Sequence, residues 1–172
     1  FVSFASVSGS EIHVNTLDGS DRLTINYSLG LFAKSVVFDG GDSSGAPNDQ
    51  LLLTGGGLLN TVAHTLTTET DGTISSTGNA IVSYQNLEGL TDSLSATNRS
   101  FTFNGGDETI TLTDDPAAGF NQIDSTMGIG LVFANPLGSL SVHAGSGNDH
   151  VVTGPLDPAL SAALNFQING GS

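Results

Sequence analysis

Residues 101–112 read Phe-Thr-Phe-Asn-Gly-Gly-Asp-Glu-Thr-Ile-Thr-Leu, and this stretch contains the unit that decides the predicted fold. Both phenylalanines alternate with polar residues, and Ile110 and Leu112 do so again. Alternation with a period of two is typical of strands that bury one face. The Asn-Gly-Gly run between the two halves supplies residues that tight turns favour. The stretch therefore predicts a strand, a glycine corner and a second strand.

The same unit of a strand, a glycine corner and a second strand recurs along the chain, each time in the same direction. The corner glycines are Gly19, Gly40, Gly72, Gly105, Gly145 and Gly170. Their mean spacing of about 30 residues indicates stacked supersecondary units. We therefore predict an all-β protein with a parallel β-solenoid (β-helix) of about six to eight coils in a single domain, residues 1–172. The alternative is an antiparallel β-sandwich. The inserts at 41–50 and 57–80 are expected to be loops.

Composition narrows the range of partners. The 172 residues include 17 acidic and 3 basic ones, for a net charge of -14, and no cysteine. So few basic residues exclude a surface for nucleic acid or for anionic membranes. No apolar run is long enough for membrane insertion, and the absence of cysteine excludes disulfides and thiolate metal sites. An acidic surface suits an exported protein that has to stay dispersed.

Three segments carry a resemblance to a known group of proteins. They are residues 81–92 (Ile-Val-Ser-Tyr-Gln-Asn-Leu-Glu-Gly-Leu-Thr-Asp), residues 96–112, and residues 138–149 (Gly-Ser-Leu-Ser-Val-His-Ala-Gly-Ser-Gly-Asn-Asp). They resemble repeat units of giant bacterial extracellular and surface proteins, which often occur beside hemolysin-type calcium-binding and adhesin modules. The resemblance implies an extracellular or cell-surface location in a bacterium. It also implies that the chain, which stops in mid-repeat, is a processed form or fragment of a longer repeat protein.

A calcium ion is the predicted cofactor. Residues 145–151 fit the Gly-x-Gly-x-Asp-x-apolar core of the hemolysin-type nonapeptide. In that pattern glycine presents backbone carbonyls, and aspartate supplies the carboxylate that Ca²⁺ prefers. With partial copies elsewhere, the predicted ligands are Asp18, Asp21, Asp49, Asp107, Gly145, Gly147 and Asp149. The alternative is that these corner side chains hydrogen bond to nearby backbone.

No catalytic site is predicted. Paired carboxylates such as Asp114 and Asp115 would suit a polysaccharide lyase or hydrolase, which remains an alternative. Three basic residues offer little to an acidic sugar, however, and a chain without tryptophan lacks the usual carbohydrate platform. Acids in turns and loops are the better interpretation.

The two ends of the chain predict self-association. Residues 1–7 and 164–168 alternate cleanly between apolar and polar residues, and no charged capping helix accompanies either segment. Open repeat ends pair with another chain unless they are capped. We therefore expect contact end to end with another copy, or continuation into the parent chain. The expected function is a non-catalytic structural module, a rod or filament-forming scaffold unit at a bacterial surface or matrix. The alternative is a calcium-dependent adhesin domain that binds a glycan or a protein.

Overall fold

A computed structural model of the chain describes residues 8–31, 33–41, 48–161 and 165–170. The alternating segment 1–7 and most of the predicted loop 41–50 lie outside the described residues. Strands make up 54 % of the structure, which confirms the all-β class.

Fifteen strands follow one another in the described part of the chain. They are β1 (Glu11–Asn15), β2 (Arg22–Asn26), β3 (Ser35–Asp39), β4 (Gln50–Thr54), β5 (Leu59–Leu66), β6 (Gly72–Ser76), β7 (Val82–Gln85), β8 (Gly89–Asp92), β9 (Ala96–Phe103), β10 (Thr109–Asp114), β11 (Phe120–Ser125), β12 (Gly128–Ala134), β13 (Ser139–His143), β14 (His150–Thr153) and β15 (Asn165–Asn169). One short helix, α1 (Pro158–Ser161), precedes the last strand.

The strands form two mixed sheets. The first sheet has eight strands in the order β1-β3-β7-β6-β5-β9-β13-β15, and the second has seven in the order β14-β10-β11-β12-β8-β4-β2. The chain passes from the first sheet to the second at the corners of Gly19, Gly40, Gly105 and Gly145, so that β1 is followed by β2, β3 by β4, β9 by β10 and β13 by β14. Gly72 marks no such change, because it is the first residue of β6 and both β5 and β6 belong to the first sheet. Most neighbouring strands pair in parallel, as β1 does with β3 and β9 with β13.

The prediction of a parallel solenoid is wrong. In such a solenoid every strand would pair in parallel with its counterpart in the next coil, whereas β6 is antiparallel to both β5 and β7, and β11 to both β10 and β12. The two sheets are not closed, and their arrangement is sandwich-like. The insert 57–80 is not a loop, because it contains β5 and β6 within the first sheet. The alternative of a sandwich describes the arrangement, although the sheets are mixed rather than antiparallel.

Side chains from both sheets fill the core between them. Burial alternates along most of the strands, as in β4, where Leu51 and Leu53 are buried between half-buried neighbours. Contact across the core is direct, since the ring centroids of Phe101 in the first sheet and Phe133 in the second lie 4.9 Å apart. Burial of such a side chain contributes roughly 1.5–3 kcal/mol to folding. The residues that hold the two sheets together are therefore the apolar positions of the alternation that the sequence shows.

The short helix begins at a proline that follows a capping aspartate. Pro158 is its first residue, and the Asp157 carboxylate accepts a hydrogen bond from the backbone N–H of Ala159 at 2.8 Å. The same carboxylate accepts hydrogen bonds from the Gly119 N–H and the Asn135 amide, each at 2.9 Å. Asp157 therefore caps the helix and ties it to the turn before β11. The described residues contain no helix long and apolar enough to cross a membrane.

Candidate functional site: the acidic corner and the open sheet ends

An acidic residue stands immediately before each of five strands of the second sheet. The five are Asp21 before β2, Asp49 before β4, Glu88 before β8, Glu108 before β10 and Asp149 before β14. We call this row the acidic corner. The strand order divides it into one group of three acids and one group of two, with β11 and β12 between the groups.

In the group of three, two of the carboxylates accept hydrogen bonds from backbone N–H groups. Asp49 Oδ1 accepts a hydrogen bond from the Asp21 N–H at 2.7 Å, and Glu88 Oε2 accepts one from the Asp49 N–H at 2.7 Å. Each side chain thus caps the strand start of its neighbour. Asp18, which the sequence placed among the ligands, has an exposed side chain on the turn before this row. For Asp49 the geometry agrees with the backbone-capping alternative, whereas Asp21 contributes its backbone N–H to that contact.

The group of two has the same capping pattern and an additional feature. Asp149 Oδ1 accepts a hydrogen bond from the Glu108 N–H at 3.2 Å, and the Ser125 hydroxyl donates to Glu108 Oε2. Glu108 is only 4 % exposed. Its Oε1 and the Oδ2 of Asp149 are both buried, and neither has a hydrogen-bond partner among the described residues. Burial, and then the nearby Asp149 carboxylate, raise the pKa of Glu108 despite the hydrogen bond from Ser125.

The two glycines predicted as ligands have a backbone role. Gly145 has a φ of 88°, and a Cβ atom there would lie 2.2 Å from the carbonyl oxygen of Phe103. Gly147 has a φ of 129°, and its Cβ would lie 2.7 Å from the carbonyl carbon of Gly106. Both positions therefore require glycine, because the loop before β14 packs closely on the loop before β10. Asp107 joins the same two loops, since its Oδ1 accepts a hydrogen bond from the Asn148 N–H at 2.8 Å.

The structure thus brings together Asp107, Gly145, Gly147 and Asp149 at one place, and Asp21 and Asp49 at another. Glu88 and Glu108 were missed, although the sequence holds a signal for them: each occupies the position directly before an alternating strand that the aspartates occupy elsewhere. No set of three or more His, Cys, Asp or Glu side chains in the described ranges is arranged to hold a metal ion. The acidic corner therefore offers two carboxylates at most to any one ion.

A second polar cluster lies inside the core. His64 on β5, Asp92 on β8 and Arg99 on β9 have side chains that are fully shielded from solvent. Asp92 Oδ2 accepts hydrogen bonds from His64 Nε2, at 2.8 Å, and from the Arg99 guanidinium. Arg99 also donates to the Leu94 carbonyl at 2.7 Å. We call these three residues the buried triad; they join the first sheet to the second.

The electrostatics of the buried triad are those of a buried ion pair beside a neutral histidine. Burial raises the pKa of Asp92, but the Arg99 charge and the His64 hydrogen bond outweigh it and hold that pKa below its ordinary value. Burial lowers the pKa of His64, as does Arg99. His64 Nδ1 and Arg99 Nε have no hydrogen-bond partner among the described residues. With no exposure to solvent, the buried triad is a structural feature rather than a site for a ligand.

The first sheet ends in an open strand. In the described part of the chain β15 pairs only with β13, and all five of its residues are exposed. Phe166 and Ile168 stand opposite Leu140 and Val142, which are fully buried. The two apolar side chains thus extend a row of core residues, yet they are 37 % and 44 % exposed.

The strand at the other end of the first sheet is β1, and it resembles β15 in its pairing and in its apolar side chains. β1 pairs only with β3 in the described residues, and Ile12 and Val14 stand opposite Val36 and Phe38. The last two are buried, whereas Ile12 and Val14 are only half-buried. Within the described residues, both ends of the sheet therefore present an apolar row and an unpaired strand edge of five residues.

A shallow trench of about 240 Å³ crosses the second sheet. Gly89 and Gly130 stand in its middle, and Arg22 and Asp124 are among its polar residues. Sites for drug-sized ligands usually measure roughly 300–1,000 Å³. The trench is smaller than this, so the sheet ends and the acidic corner are the stronger candidates.

Comparison of the chain with protein-family models, with curated proteins and with solved structures finds no match. The fold alone therefore defines the class of protein: an all-β protein with two mixed sheets that are not closed. Any function has to be argued from the residues described above.

Proposed function

We propose that this chain is a non-catalytic structural module that joins copies of itself end to end, as a filament or scaffold unit at a bacterial surface or in an extracellular matrix. The observation that supports this most is the open strand β15, where Phe166 and Ile168 continue a buried apolar row and remain exposed. Burying such side chains against another strand contributes about 25 cal/mol for each Å² of apolar surface removed from water.

The polarity of the first sheet makes a second copy of this chain the best occupant. Every strand of this sheet except β6 points in the same direction, as the chain of pairings from β1 to β15 requires. The β1 strand of the next copy therefore extends β15 in the parallel sense that already joins β13 to β15. Such a head-to-tail contact uses two different surfaces and does not close, so it propagates into a fibre.

The open strand also lacks the usual protection against pairing. Edge strands in monomeric proteins carry lysine, proline, bulges or inward-pointing charges. β15 reads Asn-Phe-Gln-Ile-Asn and contains none of these residues. Its outward side chains are amides, which form favourable ladders when strands stack in register. The composition of β15 therefore favours the addition of a strand.

The direct experiment is to follow assembly of the full chain by sedimentation and negative-stain electron microscopy as its concentration rises. We expect uniform fibres whose formation is promoted by salt, because a net charge of -14 on each copy opposes contact until it is screened. Fibres of one diameter would support the proposal. A chain that stays monomeric at all salt and protein concentrations would contradict it.

A further inference from the structure

Glu108 and Asp149 each have one carboxylate oxygen that finds no partner in the part of the chain that the structure describes. Glu108 Oε1 and Asp149 Oδ2 are shielded from solvent and have no hydrogen-bond partner among the described residues. An unpaired buried charge is expensive, and such groups are normally paired, protonated or bound to a metal ion. The other oxygen of each carboxylate is already engaged, by the Ser125 hydroxyl and by the Glu108 N–H.

No basic side chain of the described residues is paired with these acids. Arg99 is bound to Asp92 inside the core, and Lys34 donates to the Gly9 carbonyl. Arg22 lies on β2, at the opposite end of the second sheet from β10 and β14. Within the described residues, therefore, no positively charged side chain neutralises the pair.

We propose that Glu108 and Asp149 bind a divalent cation, with Ca²⁺ as the ion that fits best, through Glu108 Oε1 and Asp149 Oδ2. Ca²⁺ accepts carboxylates, backbone carbonyls and water in a flexible shell, whereas Mg²⁺ requires near-ideal octahedral geometry. Two protein carboxylates make a weak site, with a dissociation constant on the order of 0.1–1 mM, as in extracellular modules. This cation site does not depend on end-to-end assembly, because it lies at the acidic corner rather than on β1 or β15.

Burial, and then the nearby Asp149 carboxylate, raise the pKa of Glu108. A cation bound between the two carboxylates would stabilise their ionised form.

Thermal unfolding of the full chain, at constant ionic strength, tests the cation site. At Ca²⁺ concentrations about ten times the dissociation constant we expect the Tm to rise by roughly 3–6 °C over the chelated protein, with a smaller rise for Mg²⁺. Glu108→Gln and Asp149→Asn keep the shapes that accept hydrogen bonds from Ser125 and from the Glu108 N–H, but they remove charge. We expect both variants to fold and to lose the response to Ca²⁺.

Glu88→Gln is the matched control, because Glu88 caps the Asp49 N–H in the other group of the acidic corner. It should keep the full response to Ca²⁺. Two results would overturn the proposal: no Tm change with Ca²⁺ in the wild-type chain, or an equal change in Glu108→Gln. A Tm that responds to pH but not to Ca²⁺ would also overturn it, and would show that the pair shares a proton instead.

Discussion

Replacement of Asp92 by asparagine is expected to destabilise the protein by about 3–5 kcal/mol, the usual effect of removing one partner from a buried ion pair. Asparagine retains a hydrogen-bonding oxygen but leaves the charge of Arg99 without compensation in the core. For a chain of this size that loss lowers the Tm by roughly 6–20 °C. Chemical denaturation of the wild type and Asp92→Asn measures the difference directly.

A triple variant separates the missing charge from simple loss of packing. This variant replaces the buried triad with apolar side chains through His64→Phe, Asp92→Leu and Arg99→Met. The new side chains can pack against Phe101 and Phe133, which His64 and Arg99 now contact. Buried ion pairs replaced in this way often leave stability unchanged or raise it. We expect the triple variant to be more stable than Asp92→Asn. If Asp92→Asn loses less than about 1 kcal/mol, the buried triad does not hold the two sheets together as argued.

Replacement of Ile168 by lysine is expected to abolish end-to-end assembly. Ile168 lies on the inward face of β15, where an added strand would bury it, and an inward-pointing charge is a natural defence of edge strands. Assembly would bury only the 44 % of Ile168 that is still exposed, which is worth about 1 kcal/mol, so loss of that burial alone raises the concentration needed for assembly about fivefold. The folded monomer should be little affected, because the side chain is already 44 % exposed.

Ser100→Lys is the matched control for that variant. It adds the same charge to the outer face of β9, two strands away from β15 in the same sheet. We expect Ser100→Lys to assemble like the wild type in sedimentation at equal ionic strength. Equal inhibition by both substitutions would mean that added charge acts generally, and that the edge of β15 is not the contact.

The sequence was sufficient to predict individual strands but not their arrangement. Alternation at Phe101 and Phe103 places both side chains in the core, and four of the predicted glycine corners separate strands that lie in different sheets. Alternation has no direction, however, so β6 and β11 look like any other strand in the sequence. Their antiparallel pairing depends on contacts with β5, β7, β10 and β12, and it turns the predicted solenoid into two mixed sheets.

The candidate site was predictable only in part, for a related reason. Aspartates beside corner glycines are visible in the sequence, and Asp107 and Asp149 do meet. Glu108 was missed because its partners, Asp149 and Ser125, are 41 and 17 residues away and reach it only through pairing of β10 with other strands. The buried triad shows the same limit, since Arg99 appears in the sequence only as one of three basic residues.

The most direct test of the central claim is cross-linking between copies in the register that the open strands define. If β1 of one copy extends β15 of another as β15 extends β13, then Ile12 and Val14 align with Phe166 and Ile168, and His13 faces Gln167. The chain contains no cysteine, so His13→Cys and Gln167→Cys each introduce a single thiol. Mixed and mildly oxidised, the two variants should form a disulfide-linked heterodimer in high yield.

Gln167→Cys mixed with Val37→Cys provides the comparison, because Val37 lies on β3, one strand inside the edge. Gln167→Cys is expected to cross-link much faster with His13→Cys than with Val37→Cys. Equal and slow cross-linking of both pairs would contradict end-to-end assembly through β1 and β15.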